Sequence, residues 1–317
     1  MRIIAVTPAG RRAYLELLAH YLLADDSIDE WQLWDNCRTE EDRAFLAVLA
    51  ARHPKIRIVT GEGAGGHNSG INQFYRHCAV AEDFFIKLDD DIVWLPPGFG
   101  GALAARALAE KGRYSWWSPI VVNNAICSWL MKVTGRLETR AWIAALADDA
   151  TGWRNPDFAE ALHAAFLDAA ATGRLERFAT PDAEVSLGRY SINCIGFFGD
   201  DVVRLGDRFC PPGVDDEDWI SAALPALTHR PGRVVGSLLA CHFAFRTQED
   251  HLLRTELLNR YYRLAGLVRE APLPLRGGWR HALRERFRRR SPVEIGWRDA
   301  AEATAGAGQL APGPAEG

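Results

Sequence analysis

The sequence predicts an α/β protein built on a mostly parallel central sheet. Short apolar runs of strand type recur through the first hundred residues, and segments with helical periodicity separate them. Helices between successive strands favour right-handed crossovers, which place parallel strands side by side. Ligands of such sheets bind in the crevice beyond the carboxyl ends of the strands, and three consecutive aspartates follow the fourth apolar run.

The strands and helices follow from the sequence in chain order. Four apolar runs predict strands at residues 2–6, 31–35, 56–59 and 84–88. The first connecting helix is indicated by apolar residues at helical spacing, namely Tyr14, Leu15, Leu18, Tyr21 and Leu22. The second has a helix-start signal, Thr39 with Asp42 three residues later. Further helices are predicted at 101–111, 155–176 and 250–266, and a late strand ends at His242.

The composition of the 317 residues is that of a globular protein, and the net charge of −4 gives no general attraction to nucleic acid. The strand-like run at residue 2 leaves no room before it for a signal peptide, and no apolar stretch reaches the roughly 18 residues that span a bilayer. The six cysteines have no paired spacing, which indicates buried thiols in a reducing compartment. We therefore expect a cytoplasmic protein.

Asp89, Asp90 and Asp91 end a run that is typical of a buried strand. Adjacent carboxylates at such a place repel one another and lose hydration, so a bound cation is the simplest compensation. On an extended chain the first and third point to the same side and can share one ion. Mg²⁺ or Mn²⁺ prefers such oxygen ligands and commonly bridges to phosphates. The alternative is a solvated strand end followed by a turn.

Five segments carry a resemblance to a known family. They are VTPAGRR after the first strand, WDNCRTEED after the second, and then GHNSGINQFYRHCAVAEDFFIKLDDDIV, GVDDEDWISAALP and LLACHFAFRTQ. Together, over about residues 1–265, they resemble a glycosyltransferase of the GT-A fold, most similar to the family 2 type. The resemblance implies a Rossmann-like fold with a mixed, mostly parallel central sheet and helices on both faces. It also implies a nucleotide-diphospho-sugar donor, with a UDP-sugar favoured.

The resemblance further implies which residues hold the donor. The diphosphate is held by a metal on the D-x-D carboxylates, Asp89 and Asp91. The nucleoside is held by the loop after the first strand and by the end of the second strand, and the donor-side loop after the third strand contributes as well. Placed on this sequence, the residues that contact the donor are Thr7, Pro8, Asp35, Asn36, His67, Asn68, Asp89 and Asp90.

Four acids at residues 215–218 precede an apolar helical run. As structure alone, this is a common arrangement, because the helix dipole favours acids at a helix N-terminus. As chemistry, a carboxylate there could deprotonate an acceptor hydroxyl. The family 2 pattern has its base in a cluster of the E-D-x-D type, which makes Asp216 the base here, or Asp218 if the register is shifted. Such a base suits inversion at the anomeric carbon.

His242 lies at the end of the late apolar run. In metal-dependent GT-A enzymes a histidine near the end of the catalytic domain often completes the metal site, so the resemblance implies that His242 joins Asp89 and Asp91. An imidazole ligand favours Mn²⁺ over Mg²⁺, because the softer ion accepts nitrogen more readily. The alternative is a core histidine that is bonded to a backbone carbonyl.

We expect a metal-dependent glycosyltransferase that moves a sugar to a glycan or lipid-linked hydroxyl acceptor. One alternative is a phosphatase of the haloacid dehalogenase type, because Asp89-x-Asp91-x-Val93 satisfies D-x-D-x-[TV] and FFGDDVVRLGD at 197–207 resembles its later metal motif. In that class the nucleophile normally ends the first strand, whereas three strands precede it here. The non-enzyme alternative is a nucleotide-sugar binding protein that has lost catalysis.

The chain is expected to have three parts. Residues 1–265 form the catalytic domain, with 1–100 as the nucleotide-binding half and 101–265 as the acceptor half. Residues 266–299 form a basic segment that contains RGGWRHALRERFRRR, which fits either an amphipathic helix on an anionic membrane at the inner face of the cell membrane or a solvated terminal helix. Residues 300–317, rich in Ala, Gly and Pro, are predicted to be disordered.

Overall fold

The computed structural model describes residues 1–61, 68–186, 188–273 and 293–298. Its strands in chain order are β1 (Ile3–Ala9), β2 (Glu30–Asp35), β3 (Ile56–Val59), β4 (Phe84–Leu88), β5 (Ile92–Trp94), β6 (Trp116–Val122), β7 (Leu137–Thr139), β8 (Ala183–Val185), β9 (Cys194–Phe198), β10 (Gly232–His242) and β11 (Ile295–Trp297). All four strands predicted for the first hundred residues are present.

A nine-stranded sheet forms the centre of the fold, in the order β3-β2-β1-β4-β9-β6-β10-β5, with β8 also paired to β10. Strands β1 to β4, β6 and β10 run in one direction, whereas β5, β8 and β9 run in the other. The sheet is therefore mixed and mostly parallel, as predicted. Strands β7 and β11 form a separate antiparallel pair.

The helices of the described residues are α1 (Arg12–Ala24), α2 (Glu40–Arg52), α3 (Phe99–Ala109), α4 (Ala125–Val133), α5 (Pro156–Ala171), α6 (Gly199–Leu205), α7 (Asp216–Asp218), α8 (Leu224–Thr228), α9 (Glu249–Leu252) and α10 (Leu257–Leu264). A π-helical stretch, Trp219–Ala223, joins α7 to α8. The predicted start of α2 is confirmed, because the Thr39 hydroxyl accepts a hydrogen bond from the Asp42 amide at 3.1 Å.

Strands β1 and β4 are neighbours in the sheet. They pair in parallel from Ile3 opposite Phe84 to Val6 opposite Lys87. Every residue of β4 is buried, and on the other side of β1 the indoles of Trp31 and Trp34 on β2 are fully buried as well. The loop after β1 and the aspartates after β4 therefore meet at one edge of the sheet.

Two predicted helices end differently in the structure. The segment 250–266 divides into α9 and α10, because the Thr255 hydroxyl donates to the Leu252 carbonyl at 2.6 Å and accepts from the Leu257 amide at 3.2 Å, which competes with helical bonding. The helix predicted at 155–176 stops at Ala171, and Gly173 follows with a φ of 66°, a left-handed conformation that favours glycine after a helix.

Part of the predicted C-terminal region lies outside the described residues. This applies to the basic run at 276–290 and to the tail at 300–317, so their predicted conformations stay predictions. Of the basic segment, residues 295–297 form β11, which returns to pair with β7 of the main domain. Among the described residues, no helix combines the length and apolar character needed to cross a membrane.

Candidate active site

A cavity of about 790 Å³ opens at the carboxyl ends of β1 and β4. Its walls come from both halves of the chain, and its described lining residues include Pro8, Gly10, Arg11, Asn36, Arg38, Asp89, Asp90, Asp91, Trp153, Arg189, Asn193, Glu217, His242, Phe245, Arg246 and Glu249. Carboxylates and arginines dominate this surface. Such a lining suits a charged, polar ligand rather than an apolar one.

The chain turns directly after β4, where the Ile92 amide donates to the Asp89 carbonyl at 3.2 Å. The extended chain that was predicted for a shared ion is therefore corrected to a turn, which was part of the alternative interpretation. Asp90 points toward the loop after β1, and its carboxylate accepts from the Gly10 amide at 3.1 Å and pairs with Arg11. Burial raises the pKa of Asp90 above its ordinary value, although Arg11 opposes this shift.

Arg11 joins three carboxylates from distant parts of the chain. Besides Asp90, its guanidinium contacts Asp91 Oδ2 at 3.0 Å and Glu249 Oε1 at 2.8 Å. The Tyr14 hydroxyl also donates to Glu249 Oε1, at 3.1 Å. Arg11 is therefore the positive charge that allows these acids to stay buried together.

Asp91 and His242 are brought together by strand pairing. His242 on β10 lies opposite Ile92 on β5, and the Phe243 amide donates to the Asp91 carbonyl at 2.8 Å. His242 Nε2 is 3.3 Å from Asp91 Oδ2, whereas Nδ1 is 3.3 Å from the Asn123 carbonyl. The Asn123 carbonyl can accept a hydrogen bond only from a protonated Nδ1, so Nε2, which faces Asp91, is the nitrogen that would bind a cation when the imidazole is neutral.

The Asp91 carboxylate has unused bonding capacity. Its Oδ1 atom is buried and has no hydrogen-bond partner among the described residues. Burial would raise the pKa of Asp91, but Arg11 and His242 outweigh it and lower the pKa below its usual range. A buried, ionised oxygen without a donor is an unfavourable arrangement that a cation would relieve.

Asp89 completes a three-residue group with Asp91 and His242. Its carboxylate pairs with Lys87 and accepts from Asn193 Nδ2 at 3.0 Å. One ligand atom from each of Asp89, Asp91 and His242 lies within 4.8 Å of the others. Two carboxylates and an imidazole suit Mn²⁺, and these residues fit the ion that the resemblance implies.

The four acids at 215–218 have four different environments. Asp215 caps α7 by accepting from the Asp218 amide at 3.0 Å, and Asp216 accepts from the Tyr75 hydroxyl at 3.2 Å. Asp218 has a half-exposed side chain that pairs with Arg189 at 3.0 Å. Glu217 is the member of the cluster that lines the cavity. The two acids that the sequence favoured as base, Asp216 and Asp218, do not line it.

Glu217 lies in an environment that suits a proton acceptor. Its Oε1 atom accepts from Arg189 Nε at 2.7 Å and from the Ser191 hydroxyl at 3.3 Å. Desolvation raises the pKa of Glu217 to about 7, with Arg189 opposing the shift and Asp89 adding to it. A carboxylate with such a pKa can both accept and release a proton near neutral pH.

Only some of the residues predicted to hold the nucleotide line the cavity. Pro8 and Asn36 line the cavity, and Asn36 Oδ1 is buried without a hydrogen-bond partner among the described residues. The Thr7 hydroxyl instead accepts from Trp31 Nε1 at 3.0 Å in the core, and Asp35 pairs with Arg43 at 3.0 Å, so neither lines the cavity. His67 lies outside the described residues, as does the side chain of Asn68.

Several cavity residues were not predicted from the sequence. Arg11 directly follows the loop that was singled out after β1, and Glu217 lies inside the acidic cluster, so both had a local signal. Glu249 and Arg189 had none, because only the folded chain brings them to the cavity. The residues missed in this way are Arg11, Arg38, Trp153, Arg189, Asn193, Glu217, Arg246 and Glu249.

Asp200 and Asp201, the acids of the segment that resembles a phosphatase motif, lie at the opposite end of the strands from Asp89. Strand β9 runs antiparallel to β4 with Phe198 opposite Phe84 and Cys194 opposite Leu88, so Asp200 and Asp201 follow at the amino end of β4. Asp201 is held there by Arg204 and Arg230, both at 2.6 Å. This separation from the Asp89 cavity counts against the phosphatase alternative.

Comparisons with known proteins give similarity to solved structures. No family model matches the chain, and no curated protein matches it. A mannosyltransferase from Pyrobaculum calidifontis in complex with GDP-Man and Mn²⁺ is similar over 86% of this chain and 66% of its own, with 14% identity and a TM-score of 0.46. The chain thus spans slightly less than two thirds of that enzyme.

A second similar structure is the 4-diphosphocytidyl-2C-methyl-D-erythritol synthase from Anaerococcus prevotii, at 13% identity and a TM-score of 0.41, over 83% of this chain and 96% of its own. Another 4-diphosphocytidyl-2C-methyl-D-erythritol synthase has 14% identity and a TM-score of 0.37, over 75% of this chain and 90% of its own. The similarity concerns the fold. Function has to be argued from the cavity itself.

Proposed function

We propose that the protein is a metal-dependent glycosyltransferase that uses a nucleotide-diphospho-sugar donor. The observation that carries this proposal is the convergence of Asp89, Asp91 and His242 within 4.8 Å at the carboxyl edge of the sheet, in a cavity that arginines also line. Carboxylates that hold a divalent ion beside arginines form a site for a diphosphate. The mannosyltransferase with GDP-Man and Mn²⁺ agrees with this proposal but does not carry it.

Asp89, Asp91 and His242 would hold the ion, with Mn²⁺ favoured over Mg²⁺. When bound, the ion supplies positive charge next to the diphosphate of the donor. Arg11, Arg38 and Arg246 line the same cavity and add positive charge that stabilises the leaving nucleotide as its negative charge develops. Pro8 and Asn36, with His67 and Asn68 of the predicted donor-side loop, would contact the nucleoside and sugar.

Glu217 is the general base in this proposal. Its carboxylate accepts the proton of an acceptor hydroxyl, and the hydroxyl oxygen then forms a bond to the anomeric carbon of the donor sugar. The bond from that carbon to the diphosphate breaks, and its electron pair leaves with the nucleoside diphosphate. Attack opposite the leaving group inverts the anomeric configuration, which suits a single carboxylate base. Arg189 and Ser191 hold Glu217 in position through its Oε1 atom.

The donor and acceptor are proposed only by class. A UDP-sugar is the favoured donor, and the acceptor is a hydroxyl of a glycan or of a lipid-linked glycan. Association of the basic run at 276–290 with an anionic membrane would bring the protein to a lipid-linked acceptor. That run lies outside the described residues, so its membrane binding stays a prediction.

The experiment is a screen of sugar nucleotides for Mn²⁺-dependent release of nucleoside diphosphate by the full chain. We expect at least one donor to be hydrolysed slowly in Mn²⁺, no release in EDTA, and none by the Asp89→Ala variant. Binding of a donor without release, with every acceptor tried, would instead favour a nucleotide-sugar binding protein. Phosphate release from simple phosphomonoesters would favour the phosphatase.

A further inference from the structure

A second group of metal-ligating side chains lies outside the residues described above. Asp157 and Glu160 come from the first turns of α5, and His251 comes from α9. Residues three apart on a helix share a face, so both carboxylates point toward the same neighbour. One ligand atom from each of the three residues lies within 4.8 Å of the others.

The distances in this group suit a divalent ion. His251 Nε2 is 2.6 Å from Glu160 Oε2 and 3.8 Å from Asp157 Oδ1. Ligand atoms about 2.1 Å from a zinc ion lie roughly 3.0–3.4 Å from one another. The two distances from His251 therefore differ from coordination spacing by less than about 1 Å each.

The three side chains differ in burial. The His251 imidazole is 5% exposed, whereas the carboxylates of Asp157 and Glu160 are 20% and 41% exposed. The imidazole is thus fixed inside the protein, and solvent can reach the ion from the carboxylate side. Water can fill the remaining coordination positions there.

We propose that Asp157, Glu160 and His251 form a second divalent-cation site, which takes a transition ion such as Zn²⁺ or Mn²⁺. An imidazole with two carboxylates is a ligand set for ions of borderline softness rather than for Ca²⁺. The site does not depend on the proposed glycosyltransferase function, since none of its residues belongs to the Asp89 group.

An ion at this site would fasten two segments of the cavity wall to each other. The Thr247 hydroxyl donates to the Trp153 carbonyl at 2.7 Å, which already joins the chain before α9 to the chain before α5. Trp153 lines the cavity, and so does Glu249, which precedes His251 by two residues and pairs with Arg11. The ion would therefore restrict motion of the wall that holds Arg11 in position.

The test is a calorimetric titration of Zn²⁺ into the full-length Asp91→Ala/His242→Ala double variant, in which the first candidate site is removed. We expect this protein to bind one Zn²⁺. Adding His251→Ala or Glu160→Gln should weaken that binding at least tenfold. His20→Ala removes an exposed histidine and Glu41→Gln an exposed acid of α2, and neither control should change the affinity.

Zn²⁺ is also titrated into the unaltered chain, so that the result does not depend on the folding of the double variant. Two bound ions are expected, and one after Glu160→Gln, which changes a side chain that is 41% exposed. Circular dichroism checks that the variant is folded. If the group of Asp89, Asp91 and His242 binds no ion but the second site does, the unaltered chain binds one Zn²⁺, and His251→Ala abolishes that binding. The second site is wrong if the double variant binds no Zn²⁺, or if His251→Ala leaves its affinity unchanged.

Discussion

Arg11 contacts Asp91 at 3.0 Å, so the loop after β1 holds the carboxylate that we propose as a metal ligand after β4. The same guanidinium reaches Asp90 and Glu249. Three acids thus pair with one arginine. Without that positive charge, the neighbouring carboxylates would repel one another strongly. The positive charge of Arg11 and that of a bound cation should therefore stabilise the same group of carboxylates.

Arg11→Gln should lower the free energy of unfolding by about 3–5 kcal/mol, because it leaves buried carboxylates without their partner. Mn²⁺ should recover part of the loss, since the ion supplies positive charge to Asp91. Urea unfolding with and without Mn²⁺ measures both effects. The matched control is Arg12→Gln, whose side chain is 38% exposed and pairs with Glu16, and whose loss should stay below about 1 kcal/mol. Equal losses for the two variants would contradict this assignment of Arg11.

Glu217→Gln should lower kcat by about 100-fold or more while leaving donor affinity nearly unchanged, because it removes the proposed base and keeps its shape. Asp218→Asn should have activity close to that of the unaltered enzyme, since its side chain is half-exposed and does not line the cavity. Steady-state kinetics of Asp216→Asn, Glu217→Gln and Asp218→Asn shows which of the three carboxylates is the base. An inactive Asp216→Asn beside an active Glu217→Gln would restore the base predicted from the sequence.

The pH dependence of kcat/KM should report the carboxylate of Glu217. Desolvation raises its pKa to about 7, so the residue is protonated, and inactive as a base, below that pH. We expect kcat/KM to fall about tenfold per unit as the pH drops below about 7, and to level off above it. A profile that stays flat from pH 5 to pH 8 would exclude Glu217 as the base.

The edge of the sheet that carries the site was predictable because its signals are local. Apolar runs and helix-start residues located β1 to β4 and α2, whereas the pairing of β1 with β4 is a finding of the structure. The grouping of Asp89 and Asp91 was predicted, but from an extended backbone. In the structure a turn brings the two residues together.

Contacts in the cavity between residues that are distant in sequence were not predictable from local patterns. Arg11 and Glu249 are 238 residues apart, and neither has a neighbour in sequence that indicates the contact. The choice of Glu217 over Asp216 depends on how the short helix α7 is rotated about its axis before the π-helical stretch at Trp219–Ala223, which a pattern of four consecutive acids does not specify.

The most direct test of the proposed function is the Mn²⁺ dependence of nucleotide binding, measured by calorimetry with UDP and GDP. We expect Mn²⁺ to tighten the binding of one of them at least tenfold relative to EDTA. Asp91→Ala should abolish this effect, and His242→Ala should reduce it less, because only the aspartate removes a charge. Asp200→Ala, which changes an acid at the opposite edge of the sheet, should retain the full effect. Equal binding in Mn²⁺ and EDTA, or full Mn²⁺ dependence in a folded Asp91→Ala protein, would show that Asp91 does not hold a metal for nucleotide binding.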